Sequence, residues 1–163
     1  MPWSPSYVTS AELAAYVRVA DSVDDVQMDL AIAAASRAID RACTARGALA
    51  RQFGLVDAPE ARRYTARWDR ARGRWVVPVD DVMTRTGLAV AVDQDGTEEF
   101  ATPVASVGLR PVNAGQLGRP WTELVVLPGS AAQLDGSEAG VQVTARWGWT
   151  SVPQAVRQAT LLQ

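Results

Sequence analysis

The hydrophobic pattern changes period along the chain. In the first third, apolar residues recur at helical spacing, and from Arg62 onward they alternate. Residues 1–8 hold two prolines and predict an extended arm. Thr9 and Glu12 have the spacing of a capping box, and Leu13, Tyr16 and Val17 then share one face, predicting a short helix that ends near Asp21. Ser22 opens the longest helical stretch, 22–46, with Asp24, Asp25 and Asp29 at the end where the helix dipole favours acids. Val26, Leu30, Ala33, Ala34, Arg37 and Ala38 fall on adjoining turns of it, and Ile32, Ala35, Ile39 and Cys43 widen the apolar side. The alanines permit close packing of another helix or another copy of the chain. Gly47 fits the C-cap, so 9–50 reads as helical.

The alternating part predicts strands at Arg63–Trp68 and Arg74–Val79, with a hairpin-like turn between them and Pro78 calling for an edge or a bulge. Leu88–Val92 leads into Asp95-Gly96, a turn signal ahead of a further strand at Thr97–Phe100. Residues 101–122, rich in Gly and Pro, read as a long excursion before strands resume at Glu123–Leu127 and Val141–Trp147. Residues 62–147 are thus mainly β. A last helix over 151–163 takes Pro153 in its first turn and sets Val152, Ala155, Val156, Ala159 and Leu162 on one side. It reaches Gln163 without a capping residue, as expected of a helix finished by a partner or by further chain. Helices, then antiparallel strands, then a helix predict an α+β class, in one domain spanning 1–163.

Composition narrows the chemistry. All sixteen basic residues are arginine, and there is no histidine. That removes the commonest general base, the usual metal ligand and the Ser-His and Cys-His nucleophile arrangements. One cysteine excludes an intrachain disulfide and a Cys-cluster zinc site, and Cys43 reads as a small buried hydrophobe on the helix. Without lysine there is no phosphate loop of the Gly-Lys-Ser/Thr kind, and Ser36, Ser130 and Ser137 have no activating base. Asp80-Asp81 and Glu98-Glu99 are the acid pairs of the β region, the raw material of a carboxylate-dependent hydrolase or a magnesium site. Neighbours on a strand point to opposite faces, so turn chemistry is the simpler reading of both. No catalytic, cofactor-binding or metal site is expected. No stretch approaches the roughly 18 apolar residues of a membrane span, and the start lacks the pattern of an export signal, which predicts a protein kept in the cytoplasm.

The net charge of −2 is unevenly spread: residues 1–36 carry one arginine against five acids, 37–74 ten against four, and 75–163 five against nine. The basic run is Arg37, Arg41, Arg46, Arg51, Arg62, Arg63, Arg67, Arg70, Arg72 and Arg74, with Tyr64, Trp68 and Trp75 interleaved. It can serve as a nucleic-acid-binding module, guanidinium for phosphate and rings for bases. Alternatively it is a solvated face whose arginines pair with carboxylates of neighbouring copies. A sequence pI of 5.1 favours the second reading. Trp147-Gly148-Trp149 before Val152-Pro153 either locks the last helix onto the sheet or marks an interface.

The order of several pieces is similar to that of a known family. They are Tyr7-Val8-Thr9 opening a short helix, the run Ala33-Ala34-Ala35-Ser36-Arg37-Ala38-Ile39-Asp40-Arg41, and Arg51-Gln52-Phe53-Gly54. They continue with Arg110-Pro111-Val112-Asn113-Ala114 and close on Val143-Thr144-Ala145-Arg146-Trp147-Gly148-Trp149 with Val152-Pro153 and a helix. Over most of its length the chain resembles the head-to-tail connector, or adaptor, proteins of long-tailed bacteriophages and prophages. The resemblance implies a structural virion protein without enzymatic activity or cofactor, assembled in the host cytoplasm. In the family many copies, commonly twelve, form a ring beneath the portal protein and extend the DNA channel toward the tail. Its implied partners are further copies, the portal, a downstream head-completion or tail protein, and passing DNA. The residues it implies for portal or subunit contacts are Trp147, Trp149, Val152, Val156, Ala159 and Leu162, with Ala34 and Arg37. For contacts with a neighbour or the DNA channel they are Arg62, Arg63, Arg67 and Arg70.

Overall fold

The computed structural model describes residues 5–18, 25–44, 51–127 and 132–163. The class is α+β, as expected, with three helices and two four-stranded antiparallel sheets among these residues. They belong to two compact units: Met1–Leu55 with Trp149–Gln163, and Val56–Gly148.

The first unit is helical, with α1 (Ser10–Val17), α2 (Asp25–Cys43) and α3 (Gln154–Leu162); α2 packs against both of the others. The expected capping box starts α1: the Glu12 amide donates to Thr9 Oγ1 at 3.2 Å and the Thr9 amide to Glu12 Oε2 at 2.8 Å. The helix stops at Val17, short of the expected Asp21. Arg18 turns left-handed (φ 61°) and gives its N–H to the Ala14 carbonyl, closing the last turn. The expected ends of the long helix, Ser22 and Arg46 with Gly47 beyond it, lie outside the described residues.

Within α2 the inward face is narrower and differently placed than expected. Ile32, Ser36 and Ile39 are buried, while Val26 and Leu30 are 73% and 67% exposed. Cys43 is exposed too, not the buried hydrophobe its neighbours implied. The cause is the arm: Tyr7 and Val8 are buried, and the Tyr7 N–H donates to Ser36 Oγ at 3.1 Å. Ser36 Oγ in turn donates to the Ile32 carbonyl at 2.8 Å, so its hydroxyl is satisfied on both sides. Tyr7, Ile39, Phe53 and Val156 form the core, with Trp149, Val152 and Ala159 packed against it. Pro153 is the residue before α3 rather than part of its first turn, its carbonyl accepting from the Val156 and Arg157 amides. Of the expected apolar side, Ala155 and Leu162 are exposed, and Thr160 is buried with its hydroxyl donating to the Val156 carbonyl at 2.9 Å.

The second unit is β. Its strands are β1 (Glu60–Tyr64), β2 (Arg67–Asp69), β3 (Arg74–Val82), β4 (Ala89–Val92), β5 (Thr102–Pro103), β6 (Val107–Arg110), β7 (Trp121–Val126) and β8 (Val141–Ala145). One sheet runs β1-β8-β4-β5 and the other β2-β3-β7-β6, with every pairing antiparallel. Val141, Val143 and Ala145 alternate inward on β8, as Val77 and Val79 do on β3.

Three expectations shift here. The single strand at Arg63–Trp68 is two: Arg62 lies opposite Val143 in one sheet and Arg67 opposite Val76 in the other. The chain changes sheets at Thr65-Ala66, where Ala66 is buried and Thr65 Oγ1 accepts from the Ala139 amide at 2.9 Å. No strand forms at Thr97–Phe100. The Asp93 carboxylate gathers the amides of Gly96, Thr97 and Glu98, and Glu98 and Phe100 are left-handed, so the return strand waits until β5. The stretch 101–122 contains β5, β6 and the start of β7, with turns left at 112–118. Pro78 sits within β3 but beyond the reach of β2, which pairs only Arg74–Val76; on that side the missing amide costs no ladder bond.

The ends of the β unit meet: the Val56 amide donates to the Trp147 carbonyl at 2.9 Å. In the helical unit the Trp149 amide donates to the Gln52 carbonyl at 3.2 Å. Among the described residues no helix is long and apolar enough to cross a membrane.

Candidate functional site

In the helical unit, the separate pieces of the sequence pattern gather around Tyr7. Its ring stands edge-on to Phe53 with centroids 5.9 Å apart, and Phe53 lies 5.5 Å from Trp149. The Phe53 amide donates to the Tyr7 hydroxyl at 3.2 Å, and that hydroxyl donates to the Asp40 carboxylate. Burial, then the Asp40 hydrogen bond, pushes the Tyr7 phenol well above its ordinary range. Arg37 closes the cluster, 3.2 Å from Asp40 and with its guanidinium 5.5 Å from the Tyr7 centroid. Arg37, Trp149, Val152, Val156 and Ala159 are thus tied into this unit's own interior.

Ala34 and Leu162 are placed differently, on the outside of the unit. Ala34 lines a groove of about 490 Å³ together with Leu13, Ala31, Ala35, Ala38 and Leu161. The run of alanines on α2 was the visible sign of it: small side chains leave a trough instead of a ridge. Val26, Leu30 and Leu162 add large exposed apolar side chains to the same unit.

In the β unit, Trp147 is fully buried, its Nε1 donating to the Glu60 carbonyl at 2.8 Å and its ring 5.6 Å from Tyr64. The two tryptophans of Trp147-Gly148-Trp149 therefore serve two separate interiors. The Arg62 guanidinium stacks 4.9 Å from the Trp147 ring and donates to Asp80 Oδ2 at 2.6 Å. The Tyr64 hydroxyl donates to the same oxygen at 2.8 Å, and burial, then the Asp80 charge, raises the phenol strongly.

Of the other candidate arginines, Arg63 pairs with Glu98 at 2.6 Å and lies over Phe100, and Arg67 is 3.6 Å from Glu123. Arg70 is exposed on the β2–β3 turn. Arg62 and Arg63 are strand neighbours on opposite faces of β1, and Arg67 belongs to the other sheet, so the four do not form one cationic patch. Nor do the acid pairs converge: Asp80 is held by Arg62 and Tyr64, its neighbour Asp81 is buried, Glu98 is engaged by Arg63, and Glu99 is exposed. Among the described residues no three His, Cys, Asp or Glu side chains are placed to share a metal ion.

Two features emerge only in three dimensions. Trp68, 50% exposed, stands edge-on to Trp75 at 5.5 Å on the β2–β3 hairpin. Arg74 and Arg110, far apart in sequence, line one cleft of about 460 Å³ with Arg72, Thr122, Glu123 and Val125. The basic run contained Arg74 and the turn segment Arg110, but only the order β3-β7-β6 brings them together. No family model, curated protein or solved structure matches the chain.

Proposed function

We propose that the chain is a non-enzymatic structural component of a bacteriophage virion. In this reading it is a head-to-tail adaptor, assembled in the host cytoplasm, whose copies form a ring beneath the portal protein and extend the DNA channel toward the tail. The order of its sequence motifs supports the reading. The observation that carries it is the alanine-lined groove of the helical unit, in a unit that also exposes large apolar side chains that water does not favour: Val26, Leu30 and Leu162 are all more than 60% exposed. A trough of that kind accepts a ridge of large side chains from another helix.

The test mixes the purified chain with the portal protein encoded beside it and follows mass by light scattering and particle shape by electron microscopy. Rings stacked on the portal are expected, and Ala34→Arg, which fills the groove with a charged side chain, is expected to abolish them without unfolding the chain. A chain that stays monomeric with portal present at high concentration sinks the proposal. Nucleic-acid binding is the second reading, favoured by the half-exposed Trp68 between Arg67 and Arg70. It gains if the chain binds single-stranded DNA with a steep salt dependence that is lost in Arg67→Ala/Arg70→Ala.

A further inference from the structure

One face of the β2-β3-β7-β6 sheet carries charge at ladder positions. Asp69 lies opposite Arg74, and Arg110 opposite Glu123. Val76 and Val125, paired across β3 and β7, share that face, because directly opposed residues of an antiparallel ladder point the same way. The acids here are already engaged. Asp69 accepts from Arg72 at 2.6 Å across the hairpin turn, a hydrogen bond that holds its carboxyl below the usual range. Glu123 has Arg67 at 3.6 Å.

Two guanidiniums on this face have no carboxylate. Arg110 gives one N–H to the Leu109 carbonyl at 3.0 Å and forms no ion pair among the described residues. Arg74 is half-buried, and its Nε is closed off from solvent with no hydrogen-bond partner among them. Buried polar groups are ordinarily paired, and a buried cationic N–H without an acceptor is among the costlier exceptions. Both arginines line the 460 Å³ cleft, whose wall also includes the apolar surface of Val125.

We propose that this cleft binds a phosphate monoester dianion, held between Arg74 and Arg110. Charge selects among oxyanions. A phosphate monoester carries about −1.5 to −2 at neutral pH and so matches two uncommitted cations, where a carboxylate or a phosphodiester brings a single negative charge. Guanidinium chemistry suits the same group, since a planar guanidinium can grip two oxygens of one tetrahedral anion. Glu123 brings one negative charge to the same cleft, but Arg67 faces it at 3.6 Å and the two guanidiniums outnumber it. The phosphate can be free or can end a nucleic-acid strand, and the proposal stands apart from the ring reading.

The test titrates the full chain with inorganic phosphate at fixed ionic strength, by calorimetry and by thermal melting, with acetate as the single-charge comparator. Saturable binding at one phosphate per chain is expected. It weakens about tenfold or more in Arg74→Met and in Arg110→Gln. It is unchanged in Arg70→Gln, whose side chain lies outside the cleft. In phosphate-free buffer Arg74→Met melts no earlier than wild type, because it keeps the apolar stem and removes the unpaired group. Arg110→Gln decides alone if Arg74→Met does not fold. A 5′-phosphorylated oligothymidylate and its unphosphorylated twin separate the sources. Binding of the phosphorylated strand alone extends the site to strand ends, and binding of inorganic phosphate without either strand restricts it to small phosphates. No saturable phosphate binding, equal affinity for acetate, an equal loss in Arg70→Gln, or equal binding of the two strands overturns the proposal.

Discussion

Tyr7 and Tyr64 do the same work in the two units: each sends a phenol through the interior to a single carboxylate, Asp40 or Asp80, that an arginine also holds. Both phenols titrate well above their ordinary value of 10.0, first through burial and then through the neighbouring carboxylate. The fold therefore favours the protonated phenol. Its contribution is whole below about pH 10, where the unfolded chain is also protonated, and drains away above that, as the unfolded phenols ionise before the folded ones. Melting temperature is expected to fall as pH rises past about 10. In tyrosinate absorbance two of the three tyrosines should stay silent until the circular dichroism of the fold is lost. Ionisation of all three in a chain with native circular dichroism refutes this assignment. Neither pair was visible in the sequence, where the partners stand 33 and 16 positions apart.

At the scale of elements, what the sequence reveals depends on whether the deciding contact is local. The start of α1 was legible because the Thr9–Glu12 capping box is closed within four residues. Its end was not, since arginine carries no signal for the left-handed turn that Arg18 makes. The existence of α2 followed from its period, but its inward face did not. The apolar set around Val26 and Leu30 looked like the better core, until the arm bearing Tyr7 settled on Ser36. This assignment has a direct check. Ile32→Ala is expected to cost about 2–5 kcal/mol in a denaturant titration, whereas Leu30→Gln stays within about 0.5 kcal/mol. Equal costs contradict the burial pattern. Leu30→Gln should then weaken ring assembly if that face meets another copy. In the β unit, alternation runs on unbroken through Thr65-Ala66, so nothing local announced the change of sheet.

Across the whole molecule, the most visible sequence feature was a basic middle between acidic ends, which read as a means for copies to dock on one another. The structure spends much of it internally. Arg62, Arg63 and Arg67 take Asp80, Glu98 and Glu123, all from the acidic segment 75–163, while Arg37 and Arg72 pair nearby with Asp40 and Asp69. Exposed pairs of this kind contribute little each, but they remove the cations from any single patch. What stays legible of the candidate site is the alanine trough, a local property of one helix. The cleft at Arg74 and Arg110 depends on strand order, which spacing alone does not encode.

The hydrogen bond from Val56 to Trp147 fastens the first residue of the β unit to the one before its last. A segment whose two ends meet is a cassette: residues 56–148 can be lifted out, and the chain on either side rejoined by a short link. The excised cassette is expected to fold alone, with a single cooperative melt. Failure to do so, with the helical remainder folding normally, would show that it borrows its stability from the flanking chain. Such a junction lets the β part lengthen, shrink or be replaced over evolution while the helices before and after it in the chain keep their own connectivity.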